Sequence, residues 1–125
     1  MTNILIVDDE VDILDVVADE LASHGYQVAQ ANDGVEAVLK FLTHRPDFVV
    51  MDIRMPRLNG IDALNIMKTI DAHVPVITFT GQAGRGEMAE SSRLGALTCL
   101  AKPLLPSQVF SIIENHLKDR LLFNN

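Results

Sequence analysis

Asn3-Ile4-Leu5-Ile6-Val7 runs straight into Asp8-Asp9-Glu10. Four branched aliphatics in succession have the length and composition of a strand. A run that is apolar at every position, not at alternate ones, marks a strand covered on both faces. The switch to three acids shows where that cover ends. From residue 11 the period changes. Ile13, Leu14, Val17 and Leu21 share one helical face, while Asp12, Asp15, Asp19 and Glu20 take the others. Gly25 then falls where a helix ending favours a left-handed residue. A buried strand, a polar break and an amphipathic helix form the unit from which parallel sheets are assembled.

The unit recurs along the chain. Tyr26 to Ala29 predicts a second strand, and Asn32-Asp33-Gly34 supplies capping chemistry for a helix whose apolar face is read as Val35, Val38, Leu39 and Leu42. Pro46 closes that stretch. Phe48-Val49-Val50-Met51 is the third strand and stops at Asp52; Ile61, Leu64 and Ile70 mark a helix opened after Gly60. Pro75 to Phe79 gives a fourth strand ending at Thr80. Gly81, Gly84 and Gly86 crowd the next stretch, and an interior glycine costs a helix about 1 kcal/mol against alanine. Only a short or mobile helix is expected there, from Glu87 to Leu94. Leu97 to Ala101 is the fifth strand, ending at Lys102, and Val109, Ile112, Ile113 and Leu117 line a final helix. The expected class is α/β: a five-stranded parallel sheet with helices on both faces and right-handed crossovers. The pattern alone leaves the strand order open.

Composition narrows the function. A chain of 125 residues, 48% of them apolar, suffices for one domain with its own core. The net charge of -7 and the scattering of ten Lys and Arg argue against direct nucleic-acid binding, which rests on phosphate neutralisation. Cys99 is the only cysteine, so no internal disulfide is possible. No cationic stretch followed by an apolar run opens the chain, and no run is long enough to cross a bilayer. A soluble, cytoplasmic protein is expected. His24, His44, His73 and His116 lack ligand spacing, and Met51, Met55, Met67 and Met88 read as core or loop filler.

In open parallel sheets, ligands bind beyond the carboxyl ends of the strands. Those ends carry Asp8 and Asp9, Asp52, Thr80 and Lys102. Each has an ordinary use: the first two as helix caps, Asp52 as a turn residue, Thr80 as a strand end, Lys102 as a solvated charge. Their convergence on one edge favours chemistry. Two like charges about 4 Å apart repel by roughly 4 kcal/mol at an effective dielectric near 20. One lysine cannot offset three carboxylates. A hard divalent cation can, and Mg²⁺ suits few carboxylates, waters and a phosphoryl oxygen. The edge therefore reads as a place where a carboxylate receives a phosphoryl group.

Ile4-Leu5-Ile6-Val7-Asp8-Asp9-Glu10, Met51-Asp52-Ile53-Arg54-Met55-Pro56, Thr80-Gly81 and Lys102-Pro103 together resemble the receiver domain of two-component response regulators, most like the single-domain chemotaxis regulators. The resemblance spans essentially the whole chain and implies strand order 2-1-3-4-5, an order for which this family is the standard example. It implies a receiver domain over residues 1–120 with a short tail, 121–125. Asp52 is then the phosphoacceptor. Asp9 and Asp52 hold Mg²⁺ through side chains, Arg54 through its backbone carbonyl and Asp8 mainly through water. Lys102 pairs with the phosphoryl oxygens, with a cis Lys102-Pro103 bond, and Thr80 reports phosphorylation to the loop that follows. The implied partners are a sensor histidine kinase or histidine phosphotransfer protein, and an effector at the fourth helix, fifth strand and fifth helix.

The chain departs from the family pattern at Cys99, where relatives commonly carry Tyr or Phe, and at Leu58 and Asn59, which replace the commoner Met and Asp. Arg54 and Gln82 occupy positions that influence phosphoryl lifetime in relatives. Three other readings stay open from the sequence: a receiver-like interaction module that works without phosphorylation, the receiver part of a longer transcription factor or hybrid kinase, and a haloacid-dehalogenase-type phosphatase. The last is disfavoured by Arg54, which stands where those enzymes place a second acid.

Overall fold

The computed structural model describes residues 2–81 and 85–123, without the side chains of residues 85 and 120–123. Strands β1 (Asn3–Val7), β2 (Gln27–Ala31), β3 (Phe48–Asp52), β4 (Val76–Thr80) and β5 (Thr98–Ala101) alternate with helices α1 (Val11–Ser23), α2 (Gly34–His44), α3 (Gly60–Ile70), α4 (Arg85–Arg93) and α5 (Pro106–Phe123). All strand pairs are parallel, in the order β2-β1-β3-β4-β5. Both the expected class and the expected order hold.

Apolar side chains on the two faces of the sheet make two cores. Ile4, Ile6, Phe48, Val50, Ile77 and Phe79 face Leu14, Val17 and Leu21 of α1 and Val109 and Ile113 of α5. Leu5, Val7, Val49, Met51 and Val76 face Ala37 and Phe41 of α2 and Ala63, Leu64 and Met67 of α3. Successive residues of one strand point to opposite faces, so a strand buried on both must be apolar throughout. His24 stacks on Phe110 with ring centroids 3.6 Å apart, and His116 meets Phe48 edge-on, so both pack against aromatic rings.

Several boundaries differ from expectation. β2 runs to Ala31, because its register from Asn3↔Gln27 to Val7↔Ala31 matches the full length of β1. α4 starts at Arg85 despite Gly86. α5 continues through Phe123, so the backbone of the expected tail is helical to that point; Gln82, Gly84, Asn124 and Asn125 lie outside the described residues.

The larger correction concerns α2. Its buried residues are Gly34, Ala37 and Phe41, with Val38 half-buried, while Leu39 and Leu42 are 58% and 43% exposed. Close approach sets this rotation. A Cβ on Gly34 would lie 1.8 Å from the Leu58 carbonyl oxygen, so only glycine lets the start of α2 sit against the loop after β3. Asp33 caps the helix by accepting from the Glu36 backbone N–H at 2.8 Å. Its other oxygen accepts from Arg57 at 3.1 Å, bracing the same loop.

Candidate functional site

Asp8 follows β1, Asp52 ends β3, Thr80 ends β4 and Lys102 follows β5, so the sheet order brings all four to one edge. Asp8, Asp52 and Thr80 are buried, whereas Asp9 and Glu10 are exposed. The helix after β3 begins unusually close to the site. A Cβ on Gly60 would stand 2.2 Å from the Asp52 carbonyl oxygen, and the Gly60 N–H donates to the Ile53 carbonyl at 2.7 Å. The residues between Asp52 and Gly60 are thereby folded into a tight loop at the rim.

Lys102 is the hub. Its ammonium donates to Asp52 Oδ2 at 3.0 Å and to Glu10 Oε1 at 3.2 Å, and stands 3.9 Å from Asp8 Oδ1. The Lys102-Pro103 peptide is cis, as expected. Asp52 Oδ1 accepts from the Arg54 backbone N–H at 3.1 Å, and Asp8 Oδ1 from that of Glu10 at 3.0 Å. Asp8 Oδ2 is buried and has no hydrogen-bond partner among the described residues.

The charges register this crowding. Burial pushes the Asp8 carboxyl up to about 7 and the neighbouring Asp52 charge adds to the rise, while the Glu10 N–H and Lys102 oppose it. Burial likewise raises Asp52, against the pull of Lys102. Burial alone would lower Lys102, but its bond to Asp52 and the nearby carboxylates carry it above its ordinary value. One ammonium therefore leaves the acids incompletely neutralised. One carboxylate oxygen each of Asp8, Asp9 and Glu10 lies within 4.8 Å of the others, and Asp8 also carries the unpartnered Oδ2. Ligands around Mg²⁺, at about 2.1 Å from the ion, stand roughly 3–4 Å apart, so this donor set fits a hard cation with oxygen ligands.

Asp8, Asp9, Asp52, Thr80 and Lys102 were expected at this edge, and all are there. Glu10 was not expected as a partner of Lys102, although three consecutive acids after β1 were the available signal. Nor was Glu87 of α4, which takes the Arg54 guanidinium in an ion pair, at 3.1 and 3.4 Å from Nε and 2.5 Å from an outer nitrogen. No local pattern links residues 54 and 87.

This geometry agrees with the comparisons to known proteins. The family model described as the response regulator receiver domain matches residues 4–114. The chain belongs to that family. It is 36% identical over 114 residues to sporulation initiation phosphotransferase F of Bacillus subtilis, covering 91% of this chain and 92% of the relative. It is 37% identical over 112 residues to the chemotaxis protein CheY of Thermotoga maritima, covering 89% and 93%. Among solved structures, the CheX-CheY-BeF3-Mg complex of Borrelia burgdorferi contains a chain with TM-score 0.85 and 30% identity, over 93% of this receiver and 89% of that chain. This receiver is accordingly a two-component response regulator domain, and no helix among its described residues is long and apolar enough to cross a membrane.

Proposed function

We propose that this receiver is switched by phosphorylation of Asp52 in the cytoplasm, with Mg²⁺ as cofactor. The observation that carries the reading is a buried carboxylate at the end of the central strand, bonded to Lys102 and flanked by an acidic cluster containing an orphaned oxygen. In transfer, an Asp52 carboxylate oxygen forms a bond to phosphorus as the bond from phosphorus to the donor nitrogen or oxygen breaks. The leaving group departs with that electron pair. Lys102 is already placed to shed one carboxylate contact for a phosphoryl oxygen. Asp9 and Asp52 side chains and the Arg54 carbonyl would hold the cation, Asp8 mainly through water, with Glu10 close by. Bound there, it supplies neutralising charge for the acids and the transferring group. The Mg named in the crystallised CheX-CheY-BeF3 complex of Borrelia burgdorferi supports Mg²⁺ as the cation.

The donor is a sensor histidine kinase or histidine phosphotransfer protein, and Thr80 reports the modification to the loop that follows it. The phosphoryl group adds about two negative charges, enough to rebalance conformations a few kcal/mol apart. Output is read from the face formed by α4, β5 and α5. The test is intact mass after incubation with Mg²⁺ and acetyl phosphate, alongside Asp52→Asn. A single metal-dependent phosphate adduct, lost in the variant, is expected. No adduct, together with no Mg²⁺ binding, would overturn the switch and favour a phosphorylation-independent interaction module.

A further inference from the structure

At the rim of the site, Asp9, Ile53, Arg54, Met55, Asn59 and Glu87 line an open cavity of about 540 Å³. Arg54 is the cation on this wall. The hydrogen bonds of its guanidinium among the described residues all go to Glu87, in the first turn of α4. Nε and an outer nitrogen of the guanidinium both donate to Glu87 Oε1, Nε also reaches Oε2, and the pair joins the loop after β3 to α4. A negative charge in the first helical turn also suits the helix dipole, which helps keep Glu87 in place. The consequence is electrostatic. A cation two residues from the acceptor is neutralised, while the acids around Asp8 and Asp52 continue to repel any incoming anion.

Resting on the reading of Asp52 as acceptor, we propose that Glu87 is a positioning residue for phosphoryl transfer: by holding the Arg54 guanidinium it withholds positive charge from the phosphodonor and slows loading of Asp52. The sign of the effect then depends on which member of the pair is removed. Glu87→Gln frees the cation and should speed phosphorylation by acetyl phosphate, a dianion, by about three- to tenfold. Arg54→Gln leaves the carboxylate unpaired at the mouth and should slow it by a similar factor. The double variant should return near the wild-type rate. Phosphoramidate, which carries less negative charge at neutral pH, should show the same order with smaller factors, and added salt should shrink all of them.

Rates of adduct formation by intact mass, at saturating Mg²⁺, provide the measurement. Opposite signs for the single variants, cancellation in the double and a weaker response to phosphoramidate would support the proposal. A merely structural pair that steadies α4 predicts that all three variants shift together, whatever the donor charge; that result, or no change in Glu87→Gln, would overturn it. Failure of the wild type to form any adduct would instead remove the acceptor reading, and the proposal with it.

Discussion

Helices α1 and α4 both start beyond the site-bearing edge of the sheet, yet different forces hold them down. α1 buries Leu14, Val17, Ala18 and Leu21 in the first core, with Ile13 packed beside them. Among the described side chains of α4, Ser91 alone is fully buried; Met88 is half-buried, and the apolar Leu94 and Ala96 come only after the helix has ended. What fastens α4 is polar: Ser91 to Thr78 of β4, and Glu87 to Arg54. Burying an aliphatic side chain contributes about 1.5–3 kcal/mol and is lost if the helix moves away. A hydrogen bond contributes about 1 kcal/mol net, and an exposed ion pair less, because water or a new partner replaces either. The contrast teaches where movement is cheap. α1 is a fixed wall, whereas α4 can change its seat without exposing a core.

The strongest attempt to break this comparison is Leu21→Ala. Leu21 is fully buried in the core that α1 shares with the sheet and α5. Its truncation removes transfer free energy and leaves a cavity, and should cost about 2–5 kcal/mol in urea unfolding. A cost near 1 kcal/mol would mean that α1 is no better seated than α4, and the distinction would fall.

The same contrast explains what could be read from the sequence. Strands β1 and β3 were legible because a strand buried on both faces must be continuously apolar, and Asp8 and Asp52 were legible as site residues because each breaks such a run. α1 was legible because its apolar face is also its buried face. α2 was not. Hydropathy favoured Leu39 and Leu42, but the helix turns inward on Gly34, Ala37 and Phe41, whose shape fits the approach to Leu58. Shape complementarity between segments remote in sequence leaves no periodic signal. The fastenings of α4 escaped for the same reason, being single pairs across 33 and 13 residues.

A second, smaller effect separates burial of apolar groups from burial of charge at the foot of α1. Asp8, raised from 3.8 to about 7, holds its proton more tightly when folded than unfolded. Its contribution to stability is therefore complete below its unfolded value and is lost as pH rises through about 7. Without metal, the wild type should lose stability between about pH 5 and pH 8 relative to Asp8→Asn, by on the order of 2 kcal/mol. Saturating Mg²⁺ should restore the wild type at the upper end and do little for the variant. Thermal or urea unfolding across that window checks both. Parallel profiles for the two proteins would show that Asp8 carries no such strain, and would remove the main electrostatic argument for a cation.

The smallest effect tests how α4 is seated. Thr78 Oγ1 and Ser91 Oγ stand 2.5 Å apart in a buried setting, 13 residues apart in sequence and on different elements. Ser91→Ala leaves the Thr78 hydroxyl without that partner and should cost about 1–2 kcal/mol. Thr78→Val, nearly the same shape, should cost a similar amount by stranding Ser91. Combining them replaces both hydroxyls with apolar groups, so the double variant should lose much less than the sum, with a coupling of about 1 kcal/mol in a double-mutant cycle. Additive losses would mean that the hydroxyls act independently, and α4 would need some other fastening. Coupled losses would sharpen the comparison with α1. Removing apolar contacts there should give no such rescue, because a cavity is not repaired by deleting the group that faced it.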